Sequence, residues 1–572
     1  MLNLTSGHSD MKKHNLFFPL VLIMLLAWPV NAFSQVNIKD ETTEKVALFA
    51  DRSLFIAGEE LRFYAKVINS HTLGAETESQ ILYCELISPD GIKISGSKYL
   101  LNHSTSKGCI AIPKEQVSGI YYLRAYTKVM RNFGPKAYAY IQIKIINPER
   151  NEILVVDNST KSASLKMHKD SVADQKSIIS VDVNKKVFLP NETVTFSVKL
   201  SGNHNSEIKD LCLSVVAETA GSIPLISQHT RLQRQKEELY FPEDRGLSLT
   251  GKLTGSGGIA LQGKVISLSI IGEGRDFMAA RTDTSGRFFF ALPEYTGKRD
   301  LFLSAEKSNL PDVKIWVDND FCAIPVHLAS PDFSLSGKER EVVENMALNQ
   351  QINSHFNTDT VAEIIPSGTT ERPFYGDPTS ILTLDQFVQL PTLEEYFNEL
   401  PGQVKVRKRS GEKYFKVIGA YDLSFYDPLV LVDWVAVDEL SRVLAIAPRN
   451  ISRIEIVNQL YVKGGQTYGG IISIISKKSD FAGIDLPSTG IFINFRFLTP
   501  YSCKPIPEMV PADLPDVRNT ILWKPGISLN DNGTDTFSFS APYTPGKYSI
   551  VLEGLSPEGK RFSVTQIFGV EN

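Results

Sequence analysis

The sequence predicts a mainly β protein, with β-sandwiches in tandem and one small α+β domain among them. Three observations predict this. Short runs of alternating apolar and polar residues, bounded by Gly, Pro, Asn and Asp, fill most of the 572 residues. The stretch "DRSLFIAGEELRFYAKV" (51–67) recurs as "NKKVFLPNETVTFSVKL" (184–200), which implies two domains of one type. Helical periodicity is confined to a few short stretches in the second half of the chain.

Length and composition bound the rest. At roughly 100–200 residues per domain the chain holds several domains. Its 42% hydrophobic and 22% charged residues are those of an ordinary globular protein. A formal net charge of -4 argues against a general nucleic-acid binder, which needs a basic face. Lys12, Lys13 and His14 precede "LFFPLVLIMLLAWPV" and then "NAFSQ". A basic start, an apolar run shorter than the ~20 residues of a membrane span, and small residues after it predict a secretory signal peptide over 1–34. Cleavage after Ala32 or Ser34 fits, and Met11 fits as initiator. The five cysteines, Cys84, Cys109, Cys212, Cys322 and Cys503, form no CxxC, which argues against zinc and dithiol sites. Cys84 and Cys109 fall in one domain and are the candidate disulfide of an exported protein; buried free thiols are the alternative.

Residues 36–148 alternate throughout, in "KVALFADRSLFIAGEELRFYAKVI", "GIYYLRAYTKVM" and "AYAYIQIKII", and predict a first sandwich with alternate rings buried. The repeat opens a second sandwich, 152–239. Phe55 matches Phe188, Glu59 matches Glu192, and Gly58 matches Asn191, a pair of residues that both tolerate a left-handed turn. A third β unit, 245–322, carries "TDTSGRF", a tight turn with Gly286 supplying positive φ. Residues 323–373 read as a linker with a polar helix over 337–351. Over 374–480, Thr392 caps the short helix "TLEEYFNEL", Glu395 completes its capping box, and Leu393, Tyr396, Phe397 and Leu400 share a face. The strands "DPLVLVDWVAVDEL", "NISRIEIV" and "GIISIISKK" follow, the last two flanking a glycine-rich loop. Residues 481–572, with "NDNG", "YTPG" and "SPEG" turns, predict a final sandwich of their own.

Several of these segments resemble known families. The "D-(R/K)-x-x-Φ-x-x-(G/N)-E" start of the two repeats resembles the macroglobulin-type domains of alpha-2-macroglobulins and related bacterial proteins, without the thioester motif of that family. The third unit is similar to the carboxypeptidase-regulatory-like sandwich, a name that denotes a fold and not a peptidase activity. Ile451, Ile454, Glu455, Ile456, Tyr468, Gly469, Gly470, Ile472, Ile474 and Lys477 match the plug domain of TonB-dependent outer-membrane receptors, with Gly464 and Gly465 in the loop between the motif strands. Asp433 and Trp434 stand where that plug has a "VDG" turn. Trp in a two-residue turn that favours Gly predicts a reshaped hairpin. A receptor barrel needs many strands of about ten residues, and the residues after Lys478 supply too few. The domain order resembles exported proteins of Bacteroidetes-type bacteria, and implies a location in the periplasm or at the outer membrane.

No catalytic spacing stands out: the nine histidines form no HExxH, and neither GxSxG nor GxxxxGK[ST] occurs. "VKGGQTYGG" runs from strand to strand, whereas a phosphate cradle needs a helix behind it, so it reads as a flexible turn. Glu394, Glu395 and Glu399 read as the solvated face of their helix. "KVRKRSGEK" reads as an exposed hairpin, with an anionic surface or acidic partner as the alternative. The expectation is a non-enzymatic adaptor without cofactor or metal. Its plug-like domain would meet an outer-membrane barrel from another chain, with peripheral membrane association. An accessory gate of an uptake or export system is the alternative, and a protease-inhibitor-like or hydrolytic protein is the less favoured third reading.

Overall fold

Strand pairing divides the chain into three sandwiches and one αβ module, three of them threaded through one another. The computed structural model describes residues 44–572, apart from 70–76, 156–178, 201–209, 222–224, 227–231, 233–239, 273–275, 307–311, 357–372, 410, 531, 557–558 and 560. The signal peptide expected over 1–34 lies outside the described residues.

Sandwich A packs the sheet Glu44–Ala50, Glu60–Asn69, Thr105–Ala111 against a larger one built on Ala139–Ile146, Gly119–Tyr126, Ile81–Ile87 and Lys93–Leu100. The predicted burial of alternate rings in "GIYYLRAY" is exceeded, because all eight residues of that strand are buried. One face meets the sandwich core. The other is covered by residues 318–328, where the Tyr126 hydroxyl accepts the Cys322 amide at 2.8 Å and Lys98 pairs with Asp320 at 2.8 Å. Arg124 and Glu85, at most 1% exposed, form a buried ion pair at 2.6 Å between adjacent strands of this sheet.

The repeat has a physical meaning. In each copy a short strand, Leu54–Ile56 or Val187–Phe188, pairs parallel with the last strand of its sandwich. The chain then turns through positive φ at Gly58 or Asn191. The following glutamate accepts the amide three residues back: Glu59 from Ile56 at 2.6 Å, Glu192 from Leu189 at 2.8 Å. Each glutamate also pairs with the basic residue seven positions earlier, Arg52 at 2.7 Å and Lys185 at 2.7 Å. Asp51 and Asn184 accept the amides of Arg62 and Thr195. The motif is therefore a self-satisfied corner, which meets the backbone's obligatory hydrogen bonds where the strand crosses between sheets.

Sandwich B corrects two expected domains. Its core strand, Leu211–Ala217, lies between Gly546–Leu555 and Thr520–Ile527, with Leu213 opposite Leu552 and Lys524. Thr193–Leu200 pairs with Thr534–Ser540. Neither 152–239 nor 481–572 folds as a separate sandwich; each supplies part of one. Sandwich C is likewise split. Ser248–Thr254, Arg287–Ala291 and Lys314–Val317 form one sheet, and Val265–Ile271, Asp276–Arg281 and Lys298–Ala305 form the other, whose edge is completed by Ile491–Arg496. The "TDTSGRF" turn forms as expected, with Gly286 at φ 76° and the Asp283 carboxylate accepting the amides of Ser285 and Arg287. The αβ module lies between the last two strands of C, and C lies between the strands of B.

Residues 323–356 of the expected linker pack against the sandwiches. Leu328 is buried and its amide meets the Pro89 carbonyl. Helix α1, Gly337–Phe356, is opened by a capping box in which Ser336 and Glu339 exchange backbone hydrogen bonds. Its Val343 and Met346 fill a seam between Leu54 and Ile56 of A and Val216 and Ala220 of B.

The expected Cys84–Cys109 bridge is corrected. Cys84 is a buried free thiol in the large sheet of A, whereas Cys109 is bonded to Cys503, with Cα atoms 5.6 Å apart. The reason is topological, since the connector after Ile491–Arg496 returns across A on its way to B.

Peptide mapping of unreduced protein should recover one cross-linked pair, Cys109 with Cys503, and three free thiols. Cys109→Ser should lower stability by about 2–4 kcal/mol in denaturant unfolding. A second test is pH-dependent. Glu44 is buried, and burial raises its carboxyl above the ordinary value despite hydrogen bonds from Thr127 and Ser79. The folded state thus holds this proton more tightly than the unfolded chain. The stabilisation is complete below the unfolded value and is lost as pH rises through the folded one. The stability of wild type minus that of Glu44→Gln should therefore fall from mildly acid to neutral pH; a flat difference would contradict this.

Candidate functional site: the αβ module

The module is a five-stranded sheet ordered Ser380–Thr383, Ile451–Val457, Ile471–Ser476, Leu429–Val432, Val435–Ala436. Its strands are apolar on both faces, as a sheet covered twice requires. Ile454, Ile456, Ile472 and Ile474 face α2 (Leu393–Glu399) and α3 (Leu440–Leu444) in one core. Leu429, Leu431, Val457, Ile471 and Ile475 face the other way and pack on Val265, Phe277 and Ala279 of sandwich C. Helix α2 is capped as expected by Thr392, which accepts the Glu395 amide, and Leu393, Tyr396 and Phe397 are buried; the Glu395 carboxylate returns no bond to Thr392, so only half of the expected capping box forms. Glu394 pairs with Lys413 across to the "KVRKRSGEK" hairpin, where Arg407, Lys408 and Arg409 are exposed.

The motif residues singled out in the sequence are packing or turn residues of this body, except Lys477, which lies on its outer edge. The reshaped hairpin expected at Asp433–Trp434 does not occur. The two residues keep a two-residue turn, with φ 44° and 75°. The Asp433 carboxylate accepts the Ser476 amide at 2.8 Å, the Ser476 hydroxyl at 2.6 Å and the Phe481 amide at 2.9 Å. Trp434 accepts a left-handed backbone because its ring is 6% exposed in the core shared with C, stacked on Tyr375 at 5.8 Å and edge-on to Phe374 at 6.0 Å. Its indole N–H finds no partner, an opposing cost of about 1–3 kcal/mol.

Glu455 explains the "I-E" of its motif. The carboxylate is buried, accepts the Tyr375 hydroxyl at 2.5 Å and pairs with Arg453 at 2.6 Å. Burial and then that hydrogen bond push the Tyr375 phenol well above its ordinary range. Tyr468 is half-buried at the same seam, where burial pushes its phenol up to about 12. Lys477 pairs with Asp385 at 2.8 Å on the outer edge.

The glycine-rich loop is also corrected. It is no flexible turn but a hairpin, Tyr461–Lys463 with Gln466–Tyr468, whose tip residues Gly464 and Gly465 have φ 59° and 74°. A Cβ on Gly464 would stand 1.6 Å from the Ala279 carbonyl oxygen of C. Gly469 lies equally close to the backbone, with the Tyr426 carbonyl 2.2 Å from its Cβ position, and Gly470 has φ 108°.

Sequence reasoning missed the solvent side of the module. Residues 418–428 lie against 457–470 through Asn458, which bonds the Ile418 carbonyl, and Gly469, whose amide meets the Asp427 carbonyl. These neighbouring segments expose Tyr421 at 84%, Phe425 at 82%, Val462 and Leu460. "AYDLSFYDP" carries the signal: aromatics flanked by turn formers, with no strand alternation to bury them. Among the described residues, no group of three or more His, Cys, Asp or Glu is arranged to hold a metal. A cleft of about 370 Å³ beside α1 is lined by Glu341, Asn345, Arg518 and Tyr543, with Arg518 already engaged by Asp516.

No family model and no curated protein matches the chain. Among solved structures, a point mutant of Salmonella alpha-2-macroglobulin aligns with 94% of this chain and 40% of its own, at 9% identity and a TM-score of 0.24. The native conformation of E. coli alpha-2-macroglobulin aligns over the same shares, at 10% identity and a TM-score of 0.23. The chain thus spans about two fifths of these proteins. The mainly β architecture stands on the chain's own strand pairing.

Trp434→Gly should relieve the backbone yet lose the ring from the seam, a net destabilisation of about 2–4 kcal/mol. Gly464→Ala should open the same seam by displacing the hairpin tip. Both should speed proteolytic cleavage between the module and C; a Trp434→Gly variant as stable as wild type would refute the packing role.

Proposed function

We propose that the chain is a non-enzymatic adaptor of the Gram-negative, Bacteroidetes-type cell envelope, exported and held at the outer membrane by its plug-like module. The observation that carries this reading is the cluster of exposed aromatic and aliphatic side chains on the module's 418–428 and 457–470 segments. One sheet face is covered by its own helices and the other by sandwich C, which leaves Tyr421, Phe425, Leu460 and Val462 presented together on the outside. Aromatic side chains presented this way are the anchors that protein interfaces favour. The partner that fits is an outer-membrane barrel protein from another chain, with the sandwiches as the rigid mount.

Docking is favoured over gating by the seam itself. A plug that moved as a gate would have to leave the core built on Trp434, Phe374 and Phe277. The module is moreover joined at its C-terminal end to sandwich C, whose edge strand Ile491–Arg496 follows it directly.

A photo-crosslinker placed at Tyr421 or Phe425 in cells should capture an integral outer-membrane protein. The Tyr421→Ala/Phe425→Ala double variant should lose that partner while keeping its melting temperature. Capture of soluble proteins alone, or recovery of the chain free in the medium, would refute the proposal.

A further inference from the structure

We propose that the outward face of sandwich C is a binding platform for an acidic glycan. The face belongs to the sheet of Arg287–Ala291, Ser248–Thr254 and Lys314–Val317. Its register sets two outward rows across the three strands. Arg287, Lys252 and Trp316 form one row, and Phe289 and Thr250 begin the next, which Asp318 completes by donating its amide to the Thr250 carbonyl. Trp316 is 61% exposed and Phe289 43% exposed, on strands that flank Ser248–Thr254. Two interstrand spacings separate them, about 10 Å across the sheet, with an offset of two residues, about 7 Å, along it.

The face is rigid before any ligand arrives. The Trp316 indole donates to the Thr254 hydroxyl at 3.1 Å, which holds an exposed ring in one orientation. Thr250 donates to Asp318 at 2.5 Å, and Arg287 is paired with the same carboxylate. Neither Lys252 nor Lys314 is paired with a carboxylate among the described residues. With Arg287 neutralised by Asp318, the face keeps two unmatched positive charges beside two aromatic planes.

That combination selects a class of ligand. The negative face of an aromatic ring attracts the weakly positive C–H groups that line one side of a pyranose. Unmatched lysines attract carboxylates, and fixed hydroxyl and carboxylate groups suit sugar hydroxyls. A protein partner or a bilayer would call for a contiguous apolar patch. Here the two rings are separated by Thr250 and Lys252, as spaced contacts along a polysaccharide require. A chain of uronic acid units supplies both rings and charges.

The test uses the full exported chain, with a galacturonate oligosaccharide, a neutral cello-oligosaccharide of equal length and anionic phosphatidylglycerol vesicles as probes in calorimetry. The galacturonate should bind, more weakly as salt is raised, and the neutral sugar about tenfold less tightly. Trp316→Ala should cost about tenfold or more, and Trp316→Phe should restore much of it. Lys252→Glu with Lys314→Glu should abolish the preference for the acidic sugar, with melting temperatures unchanged. Binding that is indifferent to Trp316→Ala, equal affinity for the neutral sugar, or binding to the vesicles alone would each overturn the proposal.

Discussion

The arrangement depends on one strand. Leu211–Ala217 is hydrogen-bonded on both edges to strands more than three hundred residues later in the chain, Thr520–Ile527 and Gly546–Leu555. Leu211, Leu213 and Val215 are fully buried in a core they share with Ile550 and Leu552 of the adjoining strand and with Phe196, Val198 and Phe539 of the facing sheet. Sandwich C and the αβ module are loops of this closure. The chain leaves B after Leu211–Ala217 and returns to it at Thr520–Ile527, the strand paired with Leu211–Ala217.

Closure over such distances carries a loop entropy that grows slowly with length, so long insertions are tolerated when their ends are already close. Further links reinforce it. Cys109–Cys503 ties the returning connector to sandwich A. Arg52, Asp51 and Thr520 form a buried hydrogen-bonded set between A and B, with Thr520 donating to Asp51 at 2.6 Å. Helix α1 fills the seam above them. The residues that start the repeat motif in A are thus the same residues that meet B. That explains why Asp51 and Arg52 are at most 2% exposed while their counterpart Lys185 lies on the surface.

The module follows the same logic at smaller scale. A sheet with two apolar faces needs two covers. Its helices provide one, and C provides the other through Phe277, Ala279 and the hairpin tip at Gly464. The departure from a glycine at Trp434 is then a packing requirement. The ring lies where the sheet meets Tyr375 and Phe374, and the gain from burying it outweighs a left-handed backbone and an unpartnered indole N–H. Aromatic side chains remain exposed at Tyr421 and Phe425 of the module and at Phe289 and Trp316 of C.

The sequence by itself determined the local pieces. Alternation located the strands, the repeat located the two corners at Glu59 and Glu192, Thr392 marked the start of α2, and Gly286 marked its turn. These are decided within a few residues by backbone hydrogen bonding and allowed φ, and so they are written locally. The tertiary structure alone decided partnership. Alternation shows that a strand has a buried face but not which strand covers it, so 152–239 and 481–572 read as two domains where the chain builds one. In the same way Cys503 rather than Cys84 meets Cys109, and Gly464 serves contact with C rather than freedom of a loop. Burial and pairing between residues hundreds of positions apart are properties of the closed ladder, and no short window of residues contains them.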